Sequence, residues 1–366
     1  MELPTELKAQ LAEQKKQCIF CKIISKQTPA NIIFEDSKTL ALLDIYPAVK
    51  GHTLYLLKEH YPILPYLSEE ELAHYFGVLP LLVKSIKSAV VATAFNIFIA
   101  NGGAAGQNSP HLTIHLLPRE EGDGFFNFLF HKKQKPLPED KRKPLTPNIQ
   151  YLMQKFQQEN SLTINTSEYL PSYLEKPVKE SLILYQDEKI IILLPPLSLA
   201  AGHIEIYSKL EEKNFEKLSS EDSIYLFHAA SSIASLLFQL LQLHGTNIIL
   251  KSGYTDDNKE GKLSLHIIPR MQNDSLQSLI WTPQQPKYKI ESIAEKIKDK
   301  TWNLKYHPKK KEQKTDKNSP QNKEEKTEPK EPAEKKETKE WSKEETKSSF
   351  STFKEEITHA ISKLQK

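Results

Sequence analysis

The sequence predicts an α+β fold built twice over: two units of antiparallel strands, each with a long helix on one face, followed by a charged tail. Three observations predict it. Strand-length apolar segments flank one long amphipathic segment, the pattern of a sheet with a helix packed on it. The whole order returns at a fixed spacing of 151 residues, the mark of an internal repeat. Beyond about residue 300 the composition collapses into Lys, Glu, Pro, Thr and Gln, which cannot bury enough apolar surface to offset chain entropy.

In chain order, Cys18-Ile-Phe-Cys21 opens the first unit. Segments 31–35, 39–43 and 53–57 read as strands, the third after a turn at 47–51. Ser68-Glu-Glu-Glu71 has the capping-box pattern. Leu72, Tyr75, Phe76, Leu79, Leu82, Val83 and Ile86 then fall at helical spacing, with a bend expected at Pro80. Segments 96–100 and 111–117 complete the unit. In the last of these a two-residue period places His111, Thr113 and His115 on one face and Leu112, Ile114 and Leu116 on the other. The Gly102-Gly103-Ala104-Ala105-Gly106 turn before it offers small residues whose amides can approach an anion such as phosphate.

The second half repeats these landmarks. Gly51-His52 returns as Gly202-His203, Asn96-Ile97 as Asn247-Ile248, His115 as His266 and Pro118-Arg119 as Pro269-Arg270, each 151 residues on (202 − 51, 247 − 96, 266 − 115, 269 − 118). Asp36 and Asp187 obey the same offset. One offset held across strands, helix and turns indicates a tandem duplication. The units are placed at 14–130 and 161–283, with a Lys- and Pro-rich linker at 131–160 and a helix or linker at 284–303. The tail occupies 304–366, where Phe350, Phe353, Ile357, Ile361 and Leu364 could form a terminal amphipathic helix for a protein partner, a membrane surface or the parent domain.

Composition narrows the function classes. With 50 basic and 47 acidic residues the net charge is +3, so no global field draws the chain to nucleic acid, and the tail interleaves Glu with Lys. The first residues lack the apolar core and cleavage site of a leader, and the apolar run at 190–201 is broken by Pro195-Pro196; a cytoplasmic protein without a membrane span is expected. Its only two cysteines form one C-x-x-C, which in a reducing compartment points to metal or redox chemistry.

The first unit resembles the histidine triad (HIT) family of nucleotide-binding hydrolases and transferases. The resemblance rests on C-I-F-C-K-I-I at Cys18, L-L-D-I at Leu42, K-G-H-T at Lys50 and A-G-Q-x-x-x-H-x-x-x-H-x-x-P-R from Ala105 to Arg119. A weaker version covers about 179–270. The fold this implies is an antiparallel half-barrel with a helix, paired with a second copy; two copies in one chain could pair as an intramolecular pseudo-dimer. The resemblance further implies a structural zinc on Cys18, Cys21, His60 and His111, a ligand set suited to a closed tetrahedral shell. It also implies a purine nucleotide pocket with Asp44 toward the ribose and Asn101, Gln107 and His115 toward phosphate.

The family's nucleophile is the central histidine of H-x-H-x-H, which attacks the α-phosphorus. Here that position is Thr113, with Gln107 and Pro118-Arg119 fixing the alignment on either side. The second unit carries Lys262, Ser264 and His266 there, Pro195 for Asp44 and Asn258 for Gln107. Its four metal positions hold Tyr169, Ser172, Glu211 and Lys262. The expectation is a nucleotide-binding protein whose hydrolysis is impaired. Two alternatives stand beside it: an active hydrolase or nucleotidyl transferase on dinucleoside polyphosphates or nucleoside phosphoramidates, and a non-catalytic scaffold. His52 and His203, shared by both units, are expected to support the fold.

Overall fold

Five strands from each half join one antiparallel sheet in the computed structural model, which describes residues 5–131, 136–210 and 212–306. The first half supplies β1 (Ile32–Glu35), β2 (Thr39–Leu43), β3 (Thr53–Leu57), β4 (Ala94–Asn101) and β5 (Thr113–Arg119). The second supplies β6 (Leu182–Gln186), β7 (Ile190–Leu194), β8 (Ile204–Ser208), β9 (Gly245–Ser252) and β10 (Ser264–Arg270). Their order, β1-β2-β3-β5-β4-β9-β10-β8-β7-β6, reads the same from either edge once halves are exchanged. Where the halves meet, β4 pairs with β9 from Phe95↔Ser252 to Asn101↔Thr246. Phe98 faces Ile249, its own equivalent at the 151-residue offset, as a local two-fold axis requires. Each half thereby covers the β4 or β9 edge that the other would leave exposed.

Eight helices accompany the strands among the described residues. They are α1 (Thr5–Gln17), α2 (Ile19–Ile24), α3 (Glu69–Val90), α4 (Glu139–Arg142), α5 (Leu145–Glu159), α6 (Glu175–Glu180), α7 (Ser220–Leu241) and α8 (Ile290–Thr301). The capping box forms as the sequence predicts. The Glu71 amide donates to Ser68 Oγ at 3.3 Å and the Ser68 amide to Glu71 Oε2 at 3.0 Å. In the second half Ser219 Oγ accepts from the Asp222 amide at 3.0 Å. The two long helices lie against each other, and Phe76 of α3 stacks on Phe227 of α7, again its equivalent, with centroids 4.2 Å apart. By length and hydropathy α7 could cross a bilayer; here Phe227, Ala230, Ile233 and Leu237 are buried in the protein core.

Two local expectations are corrected, and a third is made specific. The segment 131–160, read as linker, carries α4 and α5; Leu145, Ile149, Met153 and Phe156 of α5 are buried at helical spacing. The surrounding Lys and Pro mask that stripe. The helix within 284–303 is α8, which buries Ile293, Ala294 and Ile297 and whose Thr301 hydroxyl donates to the Ile33 carbonyl of the first half. The strand expected over 111–117 starts only at Thr113, because the Leu57 carbonyl is bonded by the His111 imidazole at 2.9 Å and the Leu112 amide turns to Tyr61 O at 2.6 Å. The disorder and terminal helix expected for the tail lie outside the described residues from 307 onward.

Asp36 and Asp187 anchor equivalent hairpins. Asp36 Oδ1 accepts from the Lys38 and Thr39 amides at 2.9 and 2.6 Å, and Oδ2 from His74 Nε2 at 2.8 Å. Burial alone would raise its pKa, but the His74 contact and these amides hold it at about 2, below the ordinary 3.8. A depressed folded-state pKa contributes stability above pH 4 that is lost as pH falls toward 2. After allowance for partial solvent exposure, about 1–2 kcal/mol should disappear over that window. Urea unfolding of Asp36→Asn should show a correspondingly smaller acid loss than wild type; parallel acid profiles would contradict this role.

Candidate functional site

Four side chains from three segments converge near the start of β5. Cys18 caps α2 and Cys21 lies within it; His60 follows β3; His111 precedes β5. Cys18 Sγ is 3.5 Å and Cys21 Sγ 3.6 Å from His111 Nδ1, and Cys21 Sγ is 3.3 Å from His60 Nδ1. A tetrahedral metal with sulfur at about 2.3 Å and nitrogen at about 2.05 Å has S···N edges of about 3.5 Å, so the donors already stand where such an ion needs them. His111 Nε2–H donates to the Leu57 carbonyl, which turns the Nδ1 lone pair inward and fixes the tautomer. Burial lowers His60 and takes His111 to about 4, keeping both imidazoles neutral. The Cys21 thiol is pushed up to about 12 by burial and by the neighbouring Cys18. A bound divalent cation would reverse that and favour the thiolates.

Two residues along, Thr113 and His115 share the opposite environment. The Ala48 amide donates to His52 Nδ1 at 3.2 Å, so the neutral His52 ring carries its proton on Nε2. That Nε2 lies 3.0 Å from His115 Nδ1, which must accept, leaving the His115 proton on its own Nε2. Burial lowers the pKa of both rings, His115 to about 4. Asp44 Oδ2 approaches His52 Nδ1 at 3.5 Å while Oδ1 accepts from the Tyr46 amide, and burial raises its pKa. The Thr113 hydroxyl donates to the His111 carbonyl at 3.1 Å. This arrangement can present a neutral N–H donor to an anion. The hydrogen bond of the Thr113 hydroxyl runs to that backbone carbonyl and not to a side-chain base.

The loop residues serve the scaffold. Asn101 Oδ1 accepts from the Leu64 amide and its Nδ2 donates to Thr246 Oγ1. Gln107 Oε1 accepts from the Gly102 amide, and Nε2 donates to the Pro62 and Ser109 carbonyls. The amides of Gly102, Ala105, Gly106 and Gln107 are all bonded inside the turn, so the cradle expected there is largely spent on itself.

Sequence reasoning missed the residues that cross between halves. Trp281 of the second half packs edge-on against His52 and His115, with centroids 5.3 and 5.2 Å away, and also against Phe98. Ile280 beside it fills the space over Gly106, where a Cβ would lie 1.9 Å from its Cδ1. Reciprocally, Phe130 of the first half lies edge-on to His203 and His266 at 5.8 and 5.0 Å. Phe130 and Trp281 obey the 151-residue offset, a signal available in the sequence. His52, expected only to support the fold, is the residue that orients His115. Of the second unit's four metal positions, Tyr169, Ser172 and Lys262 bring no comparable ligand set, and position 211 lies outside the described residues.

The first unit is similar in sequence to known proteins. The HIT domain model matches residues 25–122. An uncharacterised HIT-like protein from Methanocaldococcus jannaschii is 41% identical over 107 residues, covering 29% of this chain and 82% of its own length. An adenosine 5'-monophosphoramidase from Schizosaccharomyces pombe is 38% identical over 102 residues, covering 28% of this chain and 74% of its own. The crystal structure of a Zn-bound histidine triad family protein from Mycobacterium smegmatis, 34% identical, covers 30% of this chain and 80% of that one with a TM-score of 0.29.

Proposed function

The chain belongs to the histidine triad family, and on that premise we propose that its first unit binds a purine nucleoside phosphate without turning it over by the family's route. In this reading Asp44 meets the ribose hydroxyls and His115 Nε2–H meets the phosphate. Asn101 and Gln107 shape the phosphate side through the loop they hold. Trp281 gives the pocket an aromatic wall from the other half. Cys18, Cys21, His60 and His111 hold a structural zinc that ties α2 to the start of β5, and a closed four-ligand shell of this kind has no open position for catalysis. The second unit, with Ser264 in place of a histidine, is the product of a tandem duplication and acts as the built-in partner.

The observation that carries the reading is the imidazole relay beside Thr113. His52 fixes the His115 tautomer as a donor, which suits anion binding, while the hydroxyl at the nucleophile position has no proton acceptor but a backbone carbonyl. The relative that acts on an adenosine phosphoramidate supports an adenine nucleotide as the ligand.

Calorimetric titration of the full chain with AMP tests binding. Wild type should give saturable heat, and Asp44→Ala should weaken binding about 10-fold or more, in line with roughly 1.5–3 kcal/mol for a hydrogen bond to a charged group. Silence with both AMP and GMP would leave the scaffold reading in its place.

A further inference from the structure

We propose that the second unit holds a metal ion of its own, a divalent first-row cation bound by His203, Glu205 and His266. Glu205 lies on β8 directly across from His266 on β10, so their side chains share a face. His203 Nε2 lies 3.2 Å from His266 Nδ1, and Glu205 Oε1 lies 3.9 Å from the same nitrogen. One donor atom from each residue falls within 4.8 Å of the others. Ligands about 2.1 Å from a common ion are separated by about 3.0 Å at right angles and about 3.4 Å at tetrahedral angles. The two imidazoles therefore need almost no movement, and the carboxylate must close by a little under about 1 Å toward His266.

The surroundings match what metal ligands require. His266 has Nε2 3.0 Å from Ser264 Oγ, and the Tyr207 hydroxyl donates to Glu205 Oε2 at 2.8 Å. Each contact holds the far side of a ligand while its near side faces the cluster. His203, Glu205 and His266 are 0%, 2% and 5% exposed, and Phe130 covers the two rings. The nearby Lys251 ammonium interacts electrostatically with Glu205, but its hydrogen bonds go elsewhere. It lies 3.4 Å from Asp257 Oδ2 and donates to the Phe128 and Asp257 carbonyls.

The repeat supplies an independent argument. The position of Glu205 is occupied in the first unit by Leu54, which likewise faces His115 across the β3–β5 ladder and sits among Ile23, Leu40, Leu42 and Leu56. A carboxylate in place of a core leucine is costly to bury unless a cation compensates it. Two imidazoles and one carboxylate, without thiolate, suit Zn²⁺, Fe²⁺, Mn²⁺ or Co²⁺.

Cobalt substitution of the full chain, read by metal content and absorption, tests this. Wild type should bind one cobalt at a nitrogen–oxygen site beyond any that shows thiolate charge-transfer bands. Glu205→Leu, which installs the first unit's residue, should lose that equivalent and leave the thiolate bands unchanged. Should Glu205→Leu fold poorly, Glu205→Gln should weaken the same equivalent at least 10-fold. Cobalt carrying only thiolate bands in wild type, or an unchanged count in a folded Glu205→Leu, would overturn the proposal and leave Glu205 as the partner of an imidazolium. If the thiolate bands are missing but the Glu205-dependent cobalt is present, this site stands and the Cys18–Cys21 zinc reading fails.

Discussion

With zinc on Cys18, Cys21, His60 and His111 as proposed, chelation is expected to lower stability by about 3–5 kcal/mol, a fall of roughly 10 °C in the thermal midpoint. The size follows from what the site joins. α2 rests on the sheet through a small cluster of Ile23, Phe20 and Ile24 with Leu40, Leu42, Leu54 and Leu56, and Phe20 packs edge-on against His111. Without a metal, two thiols and two imidazoles remain packed where water cannot solvate them well, and a buried polar group without a strong partner costs about 1–3 kcal/mol. Structural zinc contributes directly to folding because the unfolded chain has no preformed site. Cys21→Ser should reproduce the loss and be insensitive to added zinc. A thermal midpoint that does not move with chelator, together with a Cys21→Ser variant as stable as wild type, would show that the four side chains are packing residues.

The offset was legible because strands, caps and turns must be repeated together if two units are to fold alike. It carries through to the two-fold pairs Phe98–Ile249 and Phe76–Phe227, which no pattern within one unit predicts. The convergence of Cys18, Cys21, His60 and His111 was expected only through the family resemblance, because the four lie far apart in sequence and nothing local ties the C-x-x-C to either histidine. Crossing contacts were not legible. Phe130 and Trp281 read as ordinary aromatic residues, and the offset gives their equivalence but not that each lies over the other half's histidines; that depends on the β4–β9 pairing. Periodicity also misled at His111. A two-residue period places it beside His115 on one face, whereas the ring leaves the ladder to bond Leu57 and face the cysteines. Asn101 and Gln107 show a related limit, because sequence gives the amide but not the backbone groups that claim it.

Thr113 occupies the nucleophile position of the first pocket as the family resemblance aligns it. Its side chain is only partly buried on β5, which places it outside the fully packed core. A restored histidine would stand one alternate position from His115, whose Nε2–H is already aimed by His52. Loss of a nucleophile in a preorganised hydrolytic site costs up to about 10⁶-fold, so even a poorly placed replacement should recover at least about 100-fold over wild type.

The most direct measurement is turnover of adenosine 5'-phosphoramidate by the full-length wild type beside Thr113→His, with Thr113→Ala as control. The account predicts background rates for wild type and Thr113→Ala and clear turnover by Thr113→His. Turnover by wild type that Thr113→Ala abolishes would contradict it, and would make the Thr113 hydroxyl the working nucleophile.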